Sequence, residues 1–591
     1  RGRALSGPAT AITGVEAGAD WSREGGGSDR MGNAALLYDV DGDGRADVIS
    51  GDSRATPEES ELSRPGVVRV YRGAGGPSAT PDREHVGPVN DSRFGAGLGA
   101  VGDLDGDGQS ELIAFAPYYD PVEGENDDRG AVFLLPSRGA PVELQVERPS
   151  RGQRVGQSVA WLGDLDGDGF PELAVGASLA DITGVGRDVG AVHVYRGTAS
   201  GVDPTPIQTL SGFAGHSEGD LFGEVVRLAG DFDGDGQADL AVLSRQDDLP
   251  SSFDDAVYDA GGGCGEARSN SGAVYVFAGV GDGTFEPEPA FVYYGPDAGQ
   301  FVDDLVGELD VDGDGRPDLV AGGPFWDFGG NDRGGVEIIA GRPRAMDGRV
   351  LVICAGDRVT GDQNDAHYGT AVARLGDLDG DGCDDFAVGA PEADPGDVRN
   401  AGEVVLQLGW GPTCASTTPR AARLRGNDRD SQAGRHLGGG IDLTGDGSVD
   451  LLVGASNFRD GRGEVGRVYL VNGAYALSRL GGAGPIIDAG SAATLAVDGS
   501  SPGERFGFSL AVTTLPGAAR RRSSGASTAA RPASSTRAGS PSTRRTRWAS
   551  PASRASASAA RAPARACSAT RSARAAPGRG PSSRWARPSE A

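Results

Sequence analysis

Four carboxylates crowd into nine residues of the stretch Gly163 to Ala177, GDLDGDGFPELAVGA. Asp164, Asp166 and Asp168 alternate at positions 1, 3 and 5, and Glu172 stands at position 9. Gly167 and Gly169 supply backbone freedom where a Cβ would hinder a tight turn. Like charges this close repel one another unless a cation joins them. The spacing wraps three monodentate carboxylates, one bidentate carboxylate and the carbonyl of Phe170 around a hard ion. Oxygen-only ligands at flexible spacing select Ca²⁺ over Zn²⁺, and over Mg²⁺ with its stricter octahedron. An EF-hand is excluded, because its Glu belongs at position 12, where this chain has Val175, and because helices should flank the loop. A turn chosen only for its backbone shape does not need four carboxylates.

The same pattern recurs at intervals of 64, 61, 67, 79, 67 and 65 residues. Its ligand candidates are Asp39, Asp41, Asp43 and Asp47; Asp103, Asp105, Asp107 and Glu111; and Asp164, Asp166, Asp168 and Glu172. They continue with Asp231, Asp233, Asp235 and Asp239; Asp310, Asp312, Asp314 and Asp318; Asp377, Asp379, Asp381 and Asp385; and Asp442, Thr444, Asp446 and Asp450. Up to seven Ca²⁺ ions are therefore expected. The last turn should bind most weakly, because Thr444 removes a charge. Metal binding should be coupled to folding, since the empty clusters repel themselves.

A repeat this regular must be read before anything else. About nine residues upstream of a turn stands a pair such as Phe94-Gly95, Val155-Gly156, Phe222-Gly223 or Tyr368-Gly369, with Met31-Gly32 and Ala433-Gly434 as weaker versions. Phe301 is followed by Val302 instead. Downstream come short apolar runs, LAVGAS or FAVGAP, and after a variable loop GAVHVYRG or GEVVLQLG. Runs this short, bounded by Gly, are strands rather than helices. A weaker fourth strand is read at Ile207–Leu210 and Val350–Ile353. Four-stranded antiparallel units repeated about an axis make an all-β propeller, seven-bladed or alternatively eight-bladed. A β-solenoid has shorter coils than sixty residues.

FG, then DxDxDGxxD, then the GAP-like Gly389-Ala390-Pro391, resembles the FG-GAP repeat of the integrin α-subunit N-terminal propeller. The resemblance spans roughly Pro8 to Leu515. It implies a seven-bladed ring in which an N-terminal strand, here Ala9–Val15, closes the last blade. This chain shows no inserted DxSxS domain, no leg domains and no transmembrane helix, so the resemblance supports the propeller and not integrin signalling.

Charge narrows the partners. The 591 residues include 99 Gly, no Lys and a formal net charge of -29. From Arg520 onward there are 16 Arg and a single acidic residue, Glu590, leaving 39 Arg against 83 acidic residues and a balance of -44 before that point. So acidic a body repels phosphate and excludes nucleic acid. No run reaches the ~20 apolar residues that span a bilayer, and no signal peptide is read at Arg1.

Residues 1–517 are read as the propeller and 518–591 as an Arg/Ala/Ser/Pro-rich disordered tail. An eighth unit starts at Phe506-Gly507 and breaks off into LPGAARRRSSGAS. A natural basic tail and a reading-frame error both explain the break; the second is favoured because a repeat is interrupted mid-blade. Cys264, Cys354, Cys383, Cys414 and Cys567 show no zinc spacing. They are read as free thiols, with a Cys383–Cys414 disulfide as an alternative, since both lie in connections on one rim.

Two motifs are set aside. Gly215-His216-Ser217-Glu218-Gly219 matches GxSxG without the strand and helix that a nucleophile elbow requires. Gly97 to Gly102 matches GxGxxG but leads into an acidic turn. His85, His193, His216, His367 and His436 pair with no nucleophile. The loops opposite the turns, residues 116–130, 244–272 and 322–334, are the expected docking face. Tyr118, Tyr119, Tyr258, Phe325, Trp326 and Phe328 are their candidate anchors, or else packing between blades. The sequence thus predicts a non-catalytic calcium-binding propeller, secreted or at the cell surface, for adhesion or protein/glycan recognition. The alternative is an accessory or catalytic propeller of a polysaccharide- or phospholipid-degrading enzyme.

Overall fold

The computed structural model describes residues 34–511, except 39, 42–46, 58–59, 73–79, 103–106, 121–127, 147–151, 154, 157, 200, 212–216, 251–256, 259–263, 265–266, 297, 443–446, 462, 479–485, 488–492, 499–506 and 508–509. The chain divides into two units, Arg1–Ala519 and Arg520–Ala591, and all described residues belong to the first. Ala9–Val15, Cys567 and the tail lie outside the described residues.

The apolar runs form seven four-stranded antiparallel blades arranged as a β-propeller. Blade 1 is Ala34–Tyr38, Asp47–Asp52, Val67–Tyr71 and Arg83–Val86; blade 2 is Leu98–Gly102, Glu111–Ala116, Ala131–Leu135 and Val142–Glu143. Blade 3 is Ser158–Gly163, Glu172–Ala177, Ala191–Tyr195 and Gln208–Leu210; blade 4 is Phe222–Gly230, Asp239–Ser244, Ala273–Phe277 and Phe291–Tyr294. Blade 5 is Asp304–Leu309, Asp318–Gly323, Gly335–Ile339 and Asp357–Thr360; blade 6 is Ala371–Gly376, Asp385–Ala390, Glu403–Leu408 and Arg420–Gly426. Blade 7 is His436–Ile441, Asp450–Ala455, Arg467–Val471 and Ala493–Asp498.

Burial explains the sequence patterns. Most second and third strands, such as Glu172–Ala177 and Ala191–Tyr195, are buried along their whole length because neighbouring blades cover both faces. They therefore read as unbroken apolar runs. The first strand Ser158–Gly163 alternates buried and half-buried residues. The core consists of layers between blades: Val192 and Val194 of blade 3 meet Phe222, Val242 and Phe277 of blade 4. Equivalent layers join blades 1 and 2, 2 and 3, 4 and 5, 5 and 6, and 6 and 7.

The FG and GAP signatures meet at these junctions. The Gly434 N–H donates to Gly454 O within blade 7, at 3.1 Å. The Gly434 carbonyl turns the other way, onto Gly389 of blade 6, where an added Cβ would lie 1.9 Å from it. Gly434 achieves this at φ +91°, a conformation that favours glycine. The same contact joins Gly51 to Gly95, Gly176 to Gly223, Gly322 to Gly369 and Gly454 to Gly507. At the junction of blades 4 and 5 the glycines are absent together. Leu243 stands in the second strand, and Val302-Asp303 takes the FG place, one residue later than the expected Phe301-Val302. Asp303 N donates to Gly322 O at 2.8 Å, and the Asp303 carboxylate holds Arg245 at 2.6 Å.

Three expectations need correction. Leu351–Ile353 is not the fourth strand of blade 5; it pairs in parallel with Phe291–Tyr294 on the outer edge of blade 4, and Asp357–Thr360 takes the fourth place. Ile486–Ile487, in the corresponding connection of blade 7, likewise pairs in parallel with the outer strand of blade 6. Each segment covers an open sheet edge. The fourth place in blade 7, expected for an N-terminal strand, is filled by Ala493–Asp498 from within the blade's own repeat. Lastly, four cysteines form two disulfides, the considered Cys383–Cys414 and the unforeseen Cys264–Cys354. The eighth start contributes Gly507, packed on Gly454, and the strand Leu510–Ala511, parallel to the first strand of blade 1.

Gly389→Ala should destabilise the ring by about 3 kcal/mol, because backbone must move at a packed junction. Gly461→Ala, where a Cβ meets nothing, should leave the melting midpoint unchanged; equal midpoints for both variants would refute the junction argument. A Cys264→Ser, Cys354→Ser variant should keep its circular dichroism spectrum yet be cut faster by trypsin after Arg268, whose guanidinium donates to the Cys264 carbonyl at 3.0 Å.

Candidate metal centres in the blade turns

Each acidic turn joins the first and second strands of its blade, and the two strands fix its ends. In blade 3 the backbone winds round the carboxylates. Gly169 N–H donates to Asp164 Oδ2 at 3.0 Å, Asp168 N–H to Asp166 Oδ1 at 3.1 Å and Phe170 N–H to Asp168 Oδ1 at 2.8 Å. Gly167 and Gly169 hold φ of +76° and +93°, which the turn demands and other residues rarely adopt. Blades 4, 5 and 6 repeat the set: Gly236, Gly315 and Gly382 each donate to their position-1 Asp at 3.1 Å. One oxygen of each of these carboxylates is thereby held by the turn's own backbone.

Three carboxylates converge in each of these turns, with oxygens within 4.8 Å of one another. The groups are Asp164, Asp166 and Glu172; Asp231, Asp233 and Asp235; Asp310, Asp312 and Asp318; and Asp377, Asp379 and Asp385. Sequence reasoning expected four in each. Asp168, Asp314 and Asp381 at position 5, and Asp239 of blade 4, fall outside these tight groups. Glu172 Oε1, Asp231 Oδ1 and Asp310 Oδ1 are buried acceptors without a hydrogen bond, an unsatisfied state that a cation would relieve.

Position 9 holds the feature that spacing alone did not reveal. Asp47, Glu111, Glu172, Asp239, Asp318, Asp385 and Asp450 are all at most 1% exposed. Asp385 Oδ2 accepts Leu378 N–H at 2.8 Å, and Asp385 Oδ1 accepts Gly409 N–H, just past the third strand, at 2.8 Å. Asp318 ties Val311 to Gly341 and Asp239 ties Phe232 to Gly279 in the same way. The residue expected as a bidentate chelator is thus also a clamp between the turn and the third strand. Its sequence signal is the glycine closing the third strand, as in YRG and QLG, in every blade but the second, where Ser137 takes that place. Burial pushes the Asp239, Asp318 and Asp385 carboxyls up to about 7, against the pull of these backbone donors.

The remaining turns are described in part. Asp47 accepts Val40 N–H at 2.8 Å, and Arg72 approaches Asp41 at 3.5 Å. Asp107 accepts the Ser137 hydroxyl at 2.7 Å, which holds its carboxyl below the usual range. Asp442 accepts Gly447 N–H at 2.8 Å, and Asp450 accepts Gly473 N–H at 3.3 Å. Asp39, Asp43, Asp103, Asp105, Thr444 and Asp446 lie outside the described residues.

On the opposite rim, several candidate anchors serve packing. Trp326 is fully buried and its indole N–H donates to Gln300 O at 2.7 Å. Tyr119 is buried and its hydroxyl donates to Glu143 at 2.7 Å. Phe328 lies under the Arg358 guanidinium, and Tyr118 under that of Arg93. Phe325 packs at a tilt against His367, ring centroids 5.0 Å apart. The side chain of Tyr258 lies outside the described residues. Packing against neighbouring elements therefore accounts for most of these rings.

The two set-aside motifs have ordinary places. Ser217 donates its hydroxyl to Asp220 at 2.7 Å, and His216 is outside the described residues. Leu98–Gly102, which covers most of the GxGxxG match, is the first strand of blade 2. His85, His193 and His436 are pushed down to about 4, by burial above all.

Comparison with known proteins places the repeat. The FG-GAP repeat model matches residues 94–135, 155–195, 368–406 and 433–471, and the FG-GAP-like repeat model matches residues 39–114. The chain is 34% identical to integrin alpha-4 of Xenopus laevis over 154 residues, 26% of this chain and 14% of that protein. It is 34% identical to human integrin alpha-7 over 188 residues, 31% and 15% of the two chains. It is 30% identical to chicken (Gallus gallus) integrin alpha-V over 226 residues, 36% and 20% of the two chains. The chain thus spans between 14% and 20% of the length of these relatives. Among solved structures, BBS1N in complex with ARL6DN aligns with a TM-score of 0.34 at 10% identity, over 71% of this chain and 87% of that one, a likeness too loose to build on. The chain carries FG-GAP repeats and is integrin-α-like over the matched stretches.

Asp385→Ala should cost about 3 kcal/mol even in EDTA, because it strands buried backbone N–H groups that Asp385 satisfies. Asp381→Ala should cost far less in EDTA. Thermal melts of both variants without metal check this; a silent Asp385→Ala would reduce position 9 to a ligand only.

Proposed function

We propose that this FG-GAP propeller is an extracellular, non-catalytic recognition module whose blade turns bind Ca²⁺. The observation that carries the reading is the convergence of three carboxylates in each of four consecutive turns, three of them with a buried oxygen left unsatisfied. Asp and Glu oxygens at hairpin spacing, without a Cys or His among them, are the donor set of a hard divalent cation. The ligands would be the position-1, -3, -5 and -9 residues of each turn, with Asp39, Asp43, Asp103, Asp105, Thr444 and Asp446 completing their copies. Bound Ca²⁺ would supply the positive charge that these clusters lack. The chain's own residues supply the rest: backbone N–H groups orient the carboxylates, and the position-9 clamp joins the turn to the third strand.

Two disulfides favour an oxidising compartment outside the cytosol, as does likeness to integrin α-subunits. Extracellular protein or glycan would meet the loops opposite the turns, since the turn face is committed to metal. No helix among the described residues is long and apolar enough to cross a membrane.

Thermal melts and calorimetric titration of the full chain test the reading. Excess Ca²⁺ should raise the melting midpoint well above that in EDTA, and the titration should reveal several sites. Identical midpoints would sink the calcium assignment. Protein and glycan arrays probed with and without Ca²⁺ would then identify the partner class; binding that is equal in both conditions would separate recognition from metal.

A further inference from the structure

The four tight carboxylate groups do not face the same surroundings. In blade 4 an arginine already bridges the cluster: Arg344 Nε lies 2.6 Å from Asp233 Oδ2, and Nη2 lies 2.5 Å from Asp235 Oδ2. In blade 6 Arg420 Nη2 lies 2.8 Å from Asp379 Oδ2 and 3.6 Å from Asp381 Oδ2. Both therefore bridge positions 3 and 5. In blade 3 Arg196 makes one longer contact with Asp166, at 3.3 Å, and gives an N–H to the Asp282 carbonyl instead. In blade 5 the nearest ion pair is Arg316 with Asp314 at 3.6 Å, outside the Asp310, Asp312 and Asp318 group.

The chain also braces the two bridged blades by other means. The connection after the third strand of blade 5 delivers three things to blade 4. These are Arg344 into its turn, Leu351–Ile353 onto its outer edge, and Cys354 into a disulfide with Cys264. Blade 6 receives Ile486–Ile487 on its outer edge. Its turn residue Cys383 is bonded to Cys414, six residues before Arg420. Planar guanidinium groups suit this place, because their forked donors span two carboxylates at once.

We propose that Arg344 and Arg420 are built-in counter-cations that hold the turns of blades 4 and 6 closed without metal. Ca²⁺ then loads the turns of blades 5 and 3 first and enters those of blades 4 and 6 only by displacing a guanidinium. This inference builds on the calcium reading above and adds an order of filling to it.

The test is calorimetric titration with CaCl₂, paired with thermal melts in EDTA, on the full chain. Wild type, Arg344→Met and Arg420→Met are compared, with Arg399→Met, an exposed pair with Asp430, as control. Arg344→Lys retains charge without the fork and guards against misfolding of the Met variant. Each Met variant should show one weak site tightening about fivefold, the scale of losing one partly exposed ion pair. Each should also melt lower than wild type in EDTA and regain the wild-type midpoint in excess Ca²⁺; Arg344→Lys should fall between. Isotherms that superimpose on wild type, or EDTA melts that do not shift, overturn the proposal. A wild-type chain that takes up no Ca²⁺ overturns the calcium reading and this inference with it, and that failure is recognised in the wild-type isotherm alone.

Discussion

A carbonyl oxygen resting where a side chain would otherwise begin holds this ring together. At five junctions the carbonyl of one blade's FG glycine lies against a second-strand glycine of the blade before it, closer than any Cβ permits. The same FG residue sends its N–H into its own blade, as Gly369 does to Gly389 and Gly434 to Gly454. Neighbouring sheets are thereby brought near enough for Val192 and Val194 of blade 3 to pack with Phe222 and Val242 of blade 4. Blade order, the apolar layers and the placement of the turns all follow from that approach.

The position-9 carboxylates add a second constraint along each blade. Because the residue opens the second strand, its burial is dictated by the junction and not by any ion. Two buried oxygens that accept backbone N–H groups on opposite sides then fix where positions 1 and 3 can point. The geometry of the carboxylates at the rim is thus set by a clamp made from the protein alone. Arg344 and Arg420 extend the same logic by bringing positive charge from the chain itself.

Much of this was legible in the residues. The period, the strand runs and the turns followed from spacing, because each repeat carries its own glycine and carboxylate requirements. What escaped were contacts between repeats. Val350–Ile353 reads as a fourth strand on its own apolar merit, and only the neighbouring blade's open edge reveals where it goes. The Phe301-Val302 reading slipped by one residue, since Asp303, tied to Arg245, takes the place that glycine holds elsewhere. Cys264 and Cys354 stand 90 residues apart, and no local pattern links them. Trp326 carries no mark that distinguishes a buried ring from a docking ring; its loop folds inward because Gln300 accepts the indole N–H.

The segments donated to outer edges also bear on how such a ring can change over time. Leu351–Ile353 and Cys354 belong by sequence to one repeat and by contact to the one before it, as Ile486–Ile487 does two repeats later. Removing blade 5 alone would leave the outer edge of blade 4 bare and Cys264 unmatched. Blades 4 and 5 therefore depend on one another as a pair, and blades 6 and 7 share an edge strand in the same way.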